Sequence, residues 1–421
     1  VATSDILAEA SQDVAAGRFD KALRLLAEMP EDTPGRAVVA GAAWLGRKRA
    51  PAALDHLLRA VGENDDPATR MLLGRAYLLA ADPGAAAMVF EDLHERASDL
   101  PGLTEALACA YRSDARYADA IRLAGEAMAP GNDLLYEKAM SQACLGDAEG
   151  SLASWDALIG RVPDRAAAWY GSHAPALDLL GWPEAERRLH RAAACPKANG
   201  KYQAMLAAYD LLAGRSPRPC SRKHAYVADS AAALLPHLDA GVRLFGMAPA
   251  LLAWAVGEAR RPGLVLEFGV RRGTSLTAIA RAAGQEAHGF DSFEGLPEAW
   301  GSAPRGVLST GREMPAMPPC VTLHPGWFED TLPVFLATHD GFVRFANIDS
   351  DIYSSARTVL TALAGRIGPG TVLVFDEFIG NRTWRDDEFR AFHEYAEARG
   401  VRWRVIAVNL ACKQVALTIC E

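Results

Sequence analysis

The run LEFGVRRGTS at residues 266–275 decides the fold of the second half of this chain. An apolar stretch, Leu264 to Phe268, ends in Gly269 and Gly273, and a helical pattern begins near Thr274. A buried strand turns into a helix in this way at the carboxyl edge of an open α/β sheet. Small residues at that turn let the backbone approach a ligand, which Ser275 and the free N–H groups of the helix start can hydrogen-bond. The GxGxxG spacing of a dinucleotide turn is missing, which disfavours a pyrophosphate ligand and, with it, a nicotinamide dehydrogenase.

Three later runs repeat the theme: HGFDSFEG at 288–295, ANIDSDIYSS at 346–355 and VLVFDEF at 372–378. Asp291 lies 22 residues beyond Gly269 at a predicted strand end, where an acidic residue can accept both hydroxyls of a ribose. The two strings together fit an adenosyl nucleoside lying across adjacent strand ends. Predicted strands over 342–349 and 371–376 deliver Asp349, Asp351, Asp376 and Glu377 to one cleft edge. Such a cluster needs a cation, a shared proton or strong hydrogen bonds, and oxygen-only donors suit a hard metal such as Mg²⁺. The plainer alternative has Asp351 capping a helix over 354–363 and Glu377 facing solvent. VRWRVIAVN at 401–409 and QVALTIC at 414–420 read as a closing β-hairpin, and 225–259 as two helical patterns.

Upstream the character changes. MLLGRAYLLAADPGAAAMVFEDL at 71–93 superposes on EALACAYRSDARYADAIRLAGEAM at 105–128 with Ala76 on Ala110, Tyr77 on Tyr111 and Ala86 on Ala120, a shift of 34 positions. Related segments stand at 9–28, 38–61, 135–159 and 168–192. That period is the tetratricopeptide one, in which small residues let paired helices approach closely. The proline-bearing stretch SPRPCSRK reads as a linker, so the expected domains are a helical repeat array, 1–217, and an α/β domain, 218–421.

A chain of 421 residues favours two domains, and its net charge of −8 argues against nucleic acid as a partner. Seven scattered cysteines without a CxxC pair suit a reducing compartment. Neither a secretory leader nor a membrane span is legible, so a cytoplasmic protein off the membrane is expected.

The strings EFGVRRGTS, GFDSFEGLPEAW, GWFEDTLP, IDSDIYSS and PGTVLVFDEF, in that order, resemble the macrocin O-methyltransferase (TylF-type) family, over about residues 245–420. The resemblance implies a Rossmann-like class I methyltransferase domain with a mostly parallel seven-stranded sheet and a terminal hairpin. It implies S-adenosyl-L-methionine as cofactor, with Glu267, Gly269, Gly273 and Ser275 along its methionine part. Asp291, Ser292 and Phe293 would surround the ribose, and Gly326, Trp327 and Phe328 the adenine. It further implies Mg²⁺ on Asp349, Asp376 and Glu377, with Asp351 as the base; Glu377 stands where the antibiotic branch commonly carries Asp.

The expected activity is methyl transfer to a hydroxyl of a sugar, glycosylated metabolite or glycan, with Asp351 and Asp349 as catalytic residues and His324 as a rival base. The repeats are expected to dock a protein partner or the substrate, or to self-associate. Two alternatives are a methyltransferase acting on a protein or carrier-bound substrate, and a repeat adaptor whose second domain only binds cofactor. Residues 297–319, rich in Pro, Gly and Met, read as a mobile lid.

Overall fold

Six helical hairpins open the chain: α1 (Thr3–Ala15) with α2 (Phe19–Ala27), α3 (Arg36–Gly46) with α4 (Ala50–Glu63), α5 (Pro67–Leu79) with α6 (Pro83–Arg96), α7 (Leu103–Ser113) with α8 (Tyr117–Glu126), α9 (Asn132–Cys144) with α10 (Ala148–Arg161), and α11 (Ala166–Leu180) with α12 (Trp182–Ala194). The computed structural model describes residues 3–301 and 303–420. In the first five hairpins the turn closes on one left-handed residue, Gly17, Lys48, Ala81, Ala115 or Gly146. In each, the following N–H reaches back five residues to a helix carbonyl, as Asp82 does to Tyr77 and Arg116 to Tyr111. That bond satisfies a carbonyl the ending helix leaves orphaned. Ala76, Ala86, Ala110 and Ala120 are fully buried, as the tetratricopeptide reading requires.

By compactness the chain divides into Val1–Glu137 and Lys138–Glu421. The second unit continues from the later repeats into α13 (Lys201–Leu212) and α14 (Ala225–Leu234). Then follow β1 (Leu238–Leu244), α15 (Ala248–Glu258), β2 (Leu264–Phe268), α16 (Thr274–Ala283), β3 (Ala287–Asp291), β4 (Val321–Pro325), α17 (Phe328–Thr338) and β5 (Val343–Ile348). The remainder is α18 (Tyr353–Leu363), β6 (Val372–Phe375), α19 (Glu388–Arg399), β7 (Trp403–Asn409) and β8 (Gln414–Ile419).

The sheet has eight strands, not seven, in the order β1-β7-β8-β6-β5-β2-β3-β4, all parallel to their neighbours except β8. The added strand is β1, which falls between the two helical patterns read over 225–259. It lies at the sheet edge with Ala240, Gly241 and Arg243 exposed and no residue fully buried, so no apolar run marks it. The chain moves from β2 outward through β3 and β4, then crosses back to β5 on the other side of β2. A ligand crevice opens at such a switch point.

Leu177, Leu189, Met205 and Tyr209 of the last repeats share one core with Phe375, Phe378 and Val408 of the sheet region. Leu251, Val256 and Ile279 of α15 and α16 cover the other face, against Val265, Phe345 and Val374. The contact between α11 and the turn before α15 is close enough that a Cβ on Gly246 would lie 1.9 Å from the Ala174 carbonyl oxygen. There the Asp178 carboxylate accepts the Gly246 and Met247 N–H groups at 2.7 and 3.0 Å. Asp178→Ala leaves both donors buried without partners and is expected to cost about 2–3 kcal/mol, read as a fall in the thermal midpoint with cofactor affinity unchanged. No helix among the described residues is long and apolar enough to cross a membrane.

Candidate functional site

Four neighbouring strands, β6, β5, β2 and β3, bring their carboxyl ends to one edge. At the switch point β2 and β5 nearly touch: a Cβ on Gly269 (φ 96°) would lie 1.8 Å from the Asp349 carbonyl oxygen. Only glycine fits there. Gly273, also left-handed, caps α16 and lies beneath Met317, whose sulfur would be 2.5 Å from an added Cβ.

Two carboxylates hold the strand-end loops. Asp291 accepts the N–H groups of Val270 and Arg271 at 2.8 and 2.7 Å and that of Phe293 at 2.6 Å. A carboxylate has about four acceptor positions, so Asp291 keeps room for one further donor rather than for both ribose hydroxyls. Glu388, the first residue of α19, accepts from the N–H groups of Ser350, Asp351 and Glu377 at 3.0, 3.1 and 3.1 Å. It thus ties the ends of β5 and β6 together and was not singled out from the sequence; the only signal was an acidic residue in a first helical turn. Arg271, Phe293 and Asp351 all adopt positive φ (48°, 58° and 62°), a conformation that persists only where surroundings over-determine it. The two carboxylates supply that determination.

Asp351 is buried and does not cap α18, whose N-cap is Ile352 without a side-chain bond. Nor does Glu377 face solvent: its carboxylate accepts the Lys413 ammonium at 2.8 and 2.9 Å and Asn381 Nδ2 at 3.1 Å. Burial, with Glu377 and Asp376 adding repulsion, pushes the Asp351 carboxyl up to about 7. Burial and Glu377 likewise push Asp376 to about 7, although Gln414 donates to it. Asp349 is raised well above the ordinary range by burial and by Asp376 and Asp351. Among the described residues no three of these side chains stand together as a ligating group. Glu377 is turned to Lys413, while among the described residues no ion pair joins Asp349 or Asp376.

On the other side of the switch point Glu267 is fully buried and raised to about 8, chiefly by burial. Its Oε1 accepts Asn347 Nδ2 at 2.9 Å, and Ser275 also favours its ionised form. Among the described residues Glu267 Oε2 and Asn347 Oδ1 are buried without a hydrogen-bond partner. At the β3–β4 edge the Gly326 N–H donates to the Asp291 carbonyl at 2.9 Å, Trp327 caps α17, and the Phe328 ring stands edge-on to Phe268 at 5.6 Å. Ser292 Oγ accepts the Glu294 N–H at 3.1 Å, and Phe293 is buried. His324 lies on the sheet face, stacked on Phe290 at 4.6 Å with its Nε2 3.3 Å from His288 Nδ1, away from the carboxylates.

The segment over 297–319, apart from Ser302, which lies outside the described residues, folds over this edge. Leu296 and Val307 pack with Ile352, Trp300 Nε1 donates to Asp387 at 3.2 Å, and Ser354 Oγ donates to Glu298 at 2.6 Å.

A switch-point crevice with a glycine-lined floor, unsatisfied buried acceptors and acidic strand ends defines a nucleoside-cofactor domain. Residues 266–378 match the model of the methyltransferase domain family. A similar curated protein is the 8-demethyl-8-(2,3-dimethoxy-alpha-L-rhamnosyl)-tetracenomycin-C 4'-O-methyltransferase of Streptomyces olivaceus, 30% identical over 165 residues. That alignment covers 33% of this chain, which spans about 60% of the relative's length. Among solved structures, the calicheamicin methyltransferase CalS11 matches at 21% identity and a TM-score of 0.34, over 40% of this chain and 77% of its own. A tetratricopeptide repeat protein from Parabacteroides merdae matches at 10% identity and a TM-score of 0.41, over 50% of this chain and 86% of its own.

Proposed function

We propose that the chain is an S-adenosylmethionine-dependent O-methyltransferase of the macrocin (TylF) type, acting on a hydroxyl of a sugar, glycosylated metabolite or glycan. The observation that carries this reading is a pair of buried polar atoms, Glu267 Oε2 and Asn347 Oδ1, that have no hydrogen-bond partner among the described residues and accept once Glu267 is ionised. The ammonium group of a methionine moiety would supply the missing donors, and Asp291 retains one acceptor position for a ribose hydroxyl. The relative's 4'-O-methyltransferase activity on a rhamnosyl compound supports the choice of acceptor.

An alcohol is a weak nucleophile at neutral pH, so the site must take its proton. Asp351 accepts it as the hydroxyl oxygen forms its bond to the methyl carbon and the sulfonium bond breaks; Asp349 stands behind in the same loop. Mg²⁺ on Asp349, Asp376 and Glu377 is part of the proposal: all three are oxygen donors, and binding would require them to converge and Glu377 to leave Lys413. When bound it would stabilise charge developing on the acceptor oxygen. Cytoplasmic location is supported by scattered cysteines without a CxxC pair, and docking of a partner or of the acceptor by the repeat architecture.

Calorimetric titration with S-adenosylmethionine tests the reading. Asp291→Ala is expected to weaken binding by about tenfold or more, because three loop N–H groups lose their acceptor. Asp349→Ala is expected to abolish Mg²⁺ binding and spare the cofactor. A wild-type chain that binds no S-adenosylmethionine sinks the proposal.

A further inference from the structure

Lys201 opens α13, the helix that closes the repeat array, and is half-buried. Its Nζ lies 5.2 Å from the Tyr170 ring of α11, which lies 4.9 Å from the Tyr202 ring. Burial and repulsion from Lys413 hold its ammonium group below the usual range, and Glu377 offsets this only in part. The Glu377–Lys413 pair stands beside the Gly380 turn, where an added Cβ would lie 3.3 Å from Lys413 Cγ.

More positive charge surrounds it. A Cβ on Gly200 would lie 3.0 Å from both His224 Nδ1 and Ser221 Oγ, so the start of α13 abuts the turn Arg222–His224. His224 is pushed down by burial and by Lys223, Arg382 and Lys201 together. Arg382 lies over the Tyr226 ring at 5.7 Å, on a loop fixed to α14 by the Gly380 N–H donating to Ser230 Oγ at 3.0 Å. Among the described residues no carboxylate forms an ion pair with Lys201, Lys223 or Arg382. Elsewhere on the last repeats the pattern is different: Arg188 is paired with Asp156 and Glu184, and Arg215 and Arg218 with Glu186 and Asp210. Lys223 and Arg382 are exposed, whereas Lys201 is half-buried, and a half-buried cation without a carboxylate partner is costly unless an anion joins it.

We propose that the acceptor is anionic, a polyhydroxyl compound bearing a carboxylate or phosphate, and that Lys201, Lys223 and Arg382 receive this group at the rim of the crevice. The last repeat helix then contributes a specificity-determining residue, with the Tyr170 ring positioning the ammonium group. The inference rests on the methyl-transfer reading, because it takes the strand-end carboxylates as the place where the acceptor hydroxyl reacts.

The test uses the full chain and three probes: glucuronic acid, glucose 6-phosphate and the neutral methyl glucoside, each titrated by saturation-transfer NMR at low salt. At least one anionic probe is expected to bind about tenfold more tightly than the neutral one, and which of the two does so separates carboxylate from phosphate. Lys201→Ala should remove that advantage and Lys201→Arg restore it, with S-adenosylmethionine affinity unchanged in both. Equal binding of all three probes, no binding of either anion, or an unaltered preference in Lys201→Ala would overturn the proposal. A parallel S-adenosylmethionine titration separates the two readings, since its failure removes methyl transfer whatever the sugars do.

Discussion

Asp351→Asn is expected to lower methyl transfer by about 10²–10⁴-fold, the usual worth of a positioned general base, while S-adenosylmethionine still binds. The substitution suits the site for a conformational reason. Asp351 has φ 62°, and asparagine tolerates that left-handed conformation better than other residues with a side chain. Its main-chain N–H still reaches Glu388, so the loop keeps its course and only the proton acceptor is lost. Single-turnover rates with saturating cofactor, beside a cofactor titration, check the result. A variant that keeps its rate would move the base elsewhere in the cluster, with Asp349 the next candidate.

Glu388→Ala should be the most damaging single change to the architecture of the site. It strands the N–H groups of Ser350, Asp351 and Glu377 in a buried setting, at about 1–3 kcal/mol each. It also removes the tether that holds Asp351 in its strained conformation. The thermal midpoint should fall steeply and turnover with it. Glu388→Gln should lie between: its amide oxygen can still accept from Ser350 and Asp351, but its NH₂ would meet the Glu377 N–H donor to donor. Comparing thermal unfolding with turnover for the two variants checks the argument, and equal behaviour of both would contradict it.

What could be read from the chain alone followed burial. The strands β2, β3, β5 and β6 are apolar runs that stop at acidic residues or glycine, and their ends announced Glu267, Asp291, Asp349 and Asp376 directly. The edge strand β1 and the half-exposed β4 carry no such run and neither was read from the residues; the resemblance implied seven strands, one short of the sheet. The helical repeats were legible because their fully buried alanines recur at a fixed spacing. The partners of the site were not. Glu388, Lys413 and Asp178 act on main-chain or side-chain groups 11 to 69 residues away, and no local spacing encodes such a contact. Nor could the sequence show that Glu377 is already engaged by an ammonium group.

The shared core of α11–α13 and the sheet bears on how this protein can be taken apart and recombined. A graft that moved only the strands and their flanking helices would strip Phe375, Phe378 and Val408 of their cover and leave Gly246 and Met247 uncapped. The exchangeable cassette therefore begins inside the helical array, and a donor sheet would have to travel with its own last repeats. Any lineage that swapped acceptors by shuffling domains would have inherited those helices as part of the catalytic body.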